Sequence, residues 1–261
     1  MQVGMSSPEQ LSAIIGIVVF LGGTLGLVLQ RFLPESLTSD GPKDMIGAVV
    51  GLLTLLCALV MGLLIWTAYG VYAGQNVAIQ SLATKVLQVD LALADYGPDA
   101  LAERRTIRES LRDTIEEIWD PRDSDTNFVA NNFEAALTSL RKEEDPLENL
   151  HPSTDKETQD LAAAKAALDA IAQARLQMAF ALTSPVSYPL LLIVAGWSAT
   201  LFLGYALTTK SHPMTIGPVI VGACAVATAF YLILDLSRPY SGIFRVSPAP
   251  LEQVLAVMGK K

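Results

Sequence analysis

Four stretches of this chain run for more than twenty residues with no charge near their centres: about 11–33, 45–69, 186–207 and 214–236. A helix needs about 20 apolar residues to cross a hydrocarbon core roughly 30 Å thick. Each stretch is therefore long enough to span a bilayer, and nothing else in the sequence limits the fold as tightly. Composition agrees: 51% of the residues are hydrophobic and the mean hydropathy is +0.41, too apolar for an ordinary soluble domain. The first stretch could be taken for a secretory signal. Its preceding segment, MQVGMSSPEQ, has no basic region, and its apolar run exceeds the usual 7–15 residues, so a retained span is expected.

Between the second and third stretches lies a long polar segment, about residues 70–184. It holds eleven Lys and Arg against twenty Asp and Glu, a net charge of −9, while the rest of the chain sums to +1. The expected fold is all-α: a polytopic membrane protein with four transmembrane helices in two hairpins and a cytosolic antiparallel helical bundle inserted between spans two and three. The corresponding parts are a first hairpin at 1–69, an acidic bundle at 70–184, a second hairpin at 185–236 and a C-terminal tail at 237–261.

The insert has helical periodicity. Ile79, Leu82, Val86, Val89 and Leu93 recur at alternating spacings of three and four, the seam of a helix that packs on another helix. With no proline between Tyr69 and Tyr96, that helix is expected to continue out of the second span and to stop at Gly97-Pro98. A second helix should bury Leu101, Ile107, Leu111, Ile115 and Ile118. A third, at about 125–142, should bury Phe128, Phe133, Leu137 and Leu140. Thr154 and Glu157 have capping-box spacing for a fourth helix leading toward Ser184-Pro185.

An even number of spans puts the N-terminus, insert and C-terminus on one side. That side carries Lys85, Lys165, Arg175, Arg238 and Arg245 near span ends, and the other carries Arg31, Lys43 and Lys210. Cytoplasmic loops are enriched in Lys and Arg, which predicts a cytoplasmic insert.

Signatures of catalysis are missing. His151 and His212 are the only histidines, and Cys57 and Cys224 fall inside spans, so no metal-ligand spacing arises. Phosphate-binding loops, dinucleotide fingerprints and nucleophile elbows are also absent. The expectation is a protein without enzymatic activity, cofactor, metal or nucleic-acid partner. No ionisable residue sits at a span centre, which disfavours a proton or ion pump. A missing internal repeat weighs against a transporter.

What the spans do offer is small residues and one apolar stripe. Gly22 and Gly26, and separately Gly47 and Gly51, form GxxxG pairs that allow close helix packing. Pro218, four residues before Gly222, is expected to kink the fourth span. On the second span Leu59, Gly62 or Leu63, and Trp66 recur at helical spacing, while Gly62, Trp66 and Gly70 share a face. A lipid-facing or packing stripe is the plainer reading of either set; a pore gated by dewetting is the functional one.

The last span closes on LDLSRPYSGIFRVSPAPL. Asp235 falls at the span's end, where it could reach water or a partner, and Arg238, three residues on, is the obvious partner. Pro239 stops the helix, Gly242 permits a turn, and LEQVLAVM has the pattern of a short amphipathic helix. A helix stop with an interfacial anchor would account for all of this. The segment also resembles the closing motif of a group of bacterial integral membrane proteins called bestrophin-like, through Leu234, Asp235, Leu236, Arg238, Pro239, Tyr240, Gly242, Val246 and Ser247. The order of two spans, helical insert and two spans matches as well.

That resemblance implies a multi-pass protein of the bacterial inner membrane. It implies, more remotely, kinship with bestrophins, which are pentameric ion channels whose second span lines the pore. A homo-oligomer, with five subunits if the likeness extends that far, would then pass ions along Leu59, Gly62, Leu63, Trp66 and Gly70. The motif residues Asp235, Arg238, Pro239, Tyr240 and Gly242 would fasten the last span. The acidic insert tips the expectation narrowly toward monovalent cations over anions. The alternative is a non-conducting scaffold whose bundle binds a partner. Two departures from bestrophins stand out: LCALVMGLLIWTAY has Trp66 where they carry a repeated aromatic ladder, and EEDPLENLHPSTDKE is a Pro-broken run unlike their calcium clasp.

Overall fold

The computed structural model describes residues 7–32, 40–119, 147–182, 187–209 and 213–258. Among them the regular secondary structure is all helical. Seven α-helices follow in order: α1 Pro8–Phe32, α2 Asp40–Tyr96, α3 Leu101–Ile118, α4 Asp155–Leu182, α5 Tyr188–Thr208, α6 Ile216–Leu236 and α7 Ala249–Met258. Short 3-10 turns at Pro98–Ala100 and Pro213–Thr215 precede α3 and α6. The expected helix at 125–142 lies outside the described residues, as do the joint at Ser184-Pro185 and His212.

Helices α1, α2, α5 and α6 are long and apolar enough to cross a membrane. At 1.5 Å per residue the 57 residues of α2 extend about 85 Å, far more than one bilayer thickness. The second span therefore continues directly into the polar segment. Gly97 stops it at φ 124°, a left-handed conformation open to glycine, and Pro98 follows with no amide to donate.

The chain forms two compact units. One comprises Met1–Gly70 and Pro185–Ser237; the other comprises Val71–Ser184 and Arg238–Lys261. In the first, α1 packs along both α5 and α6, and α5 touches α6. Glycines permit the close approach. A Cβ at Gly22 would lie 2.7 Å from the Ala199 carbonyl oxygen, and one at Gly26 would lie 2.6 Å from that of Leu203, both on α5. A Cβ at Gly16 would meet Ala227 of α6 at 2.8 Å. The first GxxxG pair is thus spent on packing within the chain. The second is not: a Cβ at Gly47 or Gly51 would have nothing within 4 Å.

Pro218 does not sit deep enough in the fourth span to kink it as the sequence suggested. Helix α6 begins at Ile216, so Pro218 sits in its first turn, where a missing amide interrupts no intrahelical bond. The physical reason for a kink is therefore gone. At the start of α1, Ser7 and Gln10 form a reciprocal capping box. The Gln10 amide donates to Ser7 Oγ and the Ser7 amide to Gln10 Oε1, each at 3.3 Å.

In the second unit the α2 seam is the spine. Ile79, Leu82, Val86, Val89 and Leu93 are all buried. The nearer residues pack with Leu111 of α3, Met178 and Leu182 of α4, and Leu251, Val254 and Met258 of α7. Farther along, Val89, Leu93 and Tyr96 pack with Leu147, Leu150 and, on α4, Leu161 and Ala164. Helices α2 and α4 consequently run in opposite directions. Each fully buried Leu or Ile contributes about 1.5–3 kcal/mol relative to exposure, so this stripe is the main stabilising element of the unit.

One expected core residue is misplaced. Leu101 is exposed, because it begins α3 and Ala100, in the preceding turn, takes the buried position. A fork-like ion pair locks α3 to α2: Arg104 Nε and Nη2 donate to Asp90 Oδ1 and Oδ2 at 2.8 and 3.0 Å. The box at α4 forms as expected, one residue displaced. The Glu157 amide donates to Thr154 Oγ1 at 3.2 Å, while the Glu157 carboxylate accepts from the Ser153 amide at 2.6 Å.

Candidate pore face and terminal motif

Helix α2 is held in the first unit by one narrow stripe. Val50, Cys57, Leu64 and Ala68 are buried. Val50 fits against Gly204 of α5, and a side chain at that glycine would collide with it. Cys57 Sγ is 3.5 Å from Ser198 Oγ, and Thr54 Oγ1 is 3.2 Å from the Tyr205 hydroxyl, both on α5. Only 17% of the α2 span window is buried, against 33–39% for the other three spans.

The rest of α2's circumference is open, and all five residues singled out from the sequence lie there. Leu59, Leu63 and Trp66 are 69%, 58% and 71% exposed. Gly62 and Gly70 have no neighbour within 4 Å of a Cβ position. Leu52 and Leu55 extend the same side toward the start of the helix. The surface is apolar and carries no ionisable group through the span. It can line a hydrophobic passage, contact lipid, or receive another helix. Trp66 and Tyr69 rings lie 6.5 Å apart at its far end.

The terminal motif divides between the two units. In the first, Asp235 is 1% exposed, so of the two settings expected for it, water or a partner, it is the water that is absent. The Tyr231 hydroxyl, one helical turn earlier, donates to Asp235 Oδ1 at 3.3 Å. The Ser237 amide and hydroxyl donate to the Ile233 and Leu234 carbonyls, which closes α6.

In the second unit, Pro239 and Tyr240 are buried while Arg238 is half-buried. The Tyr240 hydroxyl donates to Gln75 Oε1 at 2.8 Å, and Gln75 Nε2 donates to the Met178 carbonyl at 3.1 Å. Trp119 meets the Tyr240 ring edge-on, with centroids 5.8 Å apart, and its indole donates to the Val246 carbonyl at 2.8 Å. Burial pushes the Tyr240 hydroxyl well above its ordinary pKa, so it is a permanent donor. Gly242 has φ 95°, which lets the chain reverse, and the Val246 amide closes the loop onto the Pro239 carbonyl at 2.8 Å.

Sequence reasoning missed Gln75, Trp119 and Tyr231. Two of them had a signal. Gln75 precedes Ile79 by four and so continues the apolar seam with a polar residue, which demands a buried partner. Tyr231 precedes Asp235 by one turn. Nothing marked Trp119. Cys224 faces outward on α6, and Cys57 is buried. Among the described residues, no three His, Cys, Asp or Glu side chains are gathered where they could hold a metal ion.

The Bestrophin-like domain profile matches residues 17–251. No curated protein and no solved structure matches the chain. The matched region takes in nearly the whole length, from within the first span to the start of the C-terminal helix. With its four spans and closing motif, this multi-pass membrane protein belongs to the bestrophin-like family.

Proposed function

We propose that the chain assembles into a homo-oligomeric, bestrophin-like ion channel in which the open side of α2 lines the pore. The observation that carries this reading is the low burial of the α2 span beside three better-packed spans. In a symmetric ring, Leu59, Gly62, Leu63, Trp66 and Gly70 would surround the axis and form a hydrophobic constriction that gates by wetting and dewetting. Passive conduction suits a span without ionisable groups, and no catalytic chemistry is assigned.

The insert's net charge of −9 supports a narrow preference for monovalent cations over anions. Its field acts within a Debye length of about 8 Å at physiological salt, so it concentrates cations only at a mouth it surrounds. The Lys and Arg distribution supports a cytoplasmic insert, and the family likeness supports the bacterial inner membrane.

Purified protein in planar bilayers tests the proposal. Single-channel currents are expected, with open probability raised by Leu59→Ser or Trp66→Ser, which ease wetting. A silent bilayer with a monomer in detergent overturns it. A silent bilayer with an intact oligomer favours instead a scaffold, in which the same α2 face is a helix-packing surface.

A further inference from the structure

The turn after the last span carries exposed apolar side chains that the channel reading does not use. Helix α6 ends at Leu236, and the chain then forms a closed loop in the second unit. The Ser241 amide donates to the Arg238 carbonyl at 3.2 Å and the Val246 amide to the Pro239 carbonyl at 2.8 Å. Both feet are anchored, since Tyr240 and Val246 are 7% and 1% exposed and sit in the unit's core. At the tip, Ile243 is 74% exposed, Phe244 is 44% exposed, and Arg245 is exposed.

A pinned loop that presents adjacent Ile and Phe side chains to water gives up hydrophobic free energy in proportion to the apolar area left exposed. Two observations say what covers it. Ile243 lies only seven residues beyond the end of a membrane span, within about 25 Å even for an extended chain. Arg245 adjoins the apolar pair, and Arg238 stands at the loop's foot, in a unit whose insert is strongly acidic.

Apolar side chains flanked by arginine match the boundary between acyl chains and anionic headgroups, where each cation adds electrostatic attraction. We propose that the Gly242–Arg245 turn is a lipid wedge. Ile243 and Phe244 insert beneath the headgroups of the bilayer that the spans cross, and Arg245 binds lipid phosphate.

Site-directed spin labelling of the full chain in phosphatidylglycerol-containing vesicles tests this. Single labels are placed through Ile243→Cys, Phe244→Cys and, as an aqueous control on exposed α7 surface, Gln253→Cys, with Cys224→Ala in the background. Cys57 is buried and is kept if its replacement by Ala impairs folding. Labels at 243 and 244 are expected to collide several-fold more with oxygen than with a water-soluble nickel chelate, relative to the control. Adding Arg245→Glu should move both labels toward water. Nickel accessibility equal to the control overturns the wedge, because the turn is then in water. Shielding from both reagents also overturns it, because protein then covers the turn. Insertion that Arg245→Glu leaves unchanged overturns the assignment of phosphate to Arg245.

Discussion

Tyr240 and Gln75, 165 residues apart in sequence, share a 2.8 Å hydrogen bond between two buried side chains. Removing one partner strands the other, and an unsatisfied buried acceptor costs about 1–3 kcal/mol. Tyr240→Phe should therefore lower the unfolding midpoint by that order, although ring and contacts stay. Gln75→Leu should also destabilise, and the double variant should fall short of the sum by 0.5 kcal/mol or more. Additive effects in a denaturant double-mutant cycle would show that the bond carries no coupling.

The same bond sets an alkaline limit. Burial raises the Tyr240 pKa above the value of about 10 for an unfolded tyrosine. Its stabilising contribution is complete below pH 10 and declines above it, as the unfolded chain ionises while the folded one does not. Stability followed from pH 9 to 11.5 should fall, and Tyr240→Phe should flatten part of that decline.

Asp90 and Arg104 form a nearly dry pair, with side chains 6% and 13% exposed. Such pairs stabilise little against an apolar replacement, but breaking one leaves a buried charge at a cost of about 3–5 kcal/mol. Arg104→Met should thus destabilise strongly, and Asp90→Leu with Arg104→Met should recover much of the loss. Arg104→Lys should fall between, because the ammonium cannot make both bonds of the fork. A double variant no better than Arg104→Met in thermal unfolding would overturn this.

How far these relationships could be read in advance depended on their range. The four spans, the α2 seam, the stop at Gly97 and the Thr154 cap are local, set by a window of residues and its period. Helix α2 follows from the absence of a proline over its whole polar half. Tyr240–Gln75 and Asp90–Arg104 depend on which helices meet, and no window contains that. The two GxxxG pairs show the limit plainly: they have the same spacing, yet only Gly22 and Gly26 face another backbone. Leu101 and Pro218 failed for a smaller reason, a helix start displaced by two or three residues. On the pore face, the helical spacing was legible, and the openness of that face was not.

The glycine contrast is directly measurable. Gly26→Leu would force a side chain against the α5 backbone, which cannot yield as a flexible side chain can. Loss of the folded protomer is expected, read as aggregation in detergent. Gly47→Leu and Gly51→Leu meet open space and should leave protomer stability within about 0.5 kcal/mol. If they nevertheless abolish the oligomer, these glycines pack between copies. If they unfold the protomer, the packing described for α2 is wrong.

The α4 cap carries its own pH dependence, of opposite sign to that of Tyr240. The Ser153 amide, donating to the Glu157 carboxylate, holds that carboxyl below its ordinary range, and the Thr154 hydroxyl and amide add to this. A depressed folded pKa contributes stability that is present above the unfolded value of about 4.5 and lost as pH falls through the folded one. Below pH 4.5 the first turn of α4 should therefore loosen before the helix as a whole. Hydrogen exchange at the amides of residues 155–158 reports this: protection should drop as pH falls below about 4.5, once the intrinsic pH dependence of exchange is corrected. Glu157→Gln should remove the pH-dependent part while keeping some capping, since the amide oxygen still accepts a bond. Thr154→Ala should lower protection at every pH, because the hydroxyl that receives the Glu157 amide is gone. An unchanged acid profile in Glu157→Gln would place the responsible carboxylate elsewhere in the first turn, with Asp155 the next to substitute.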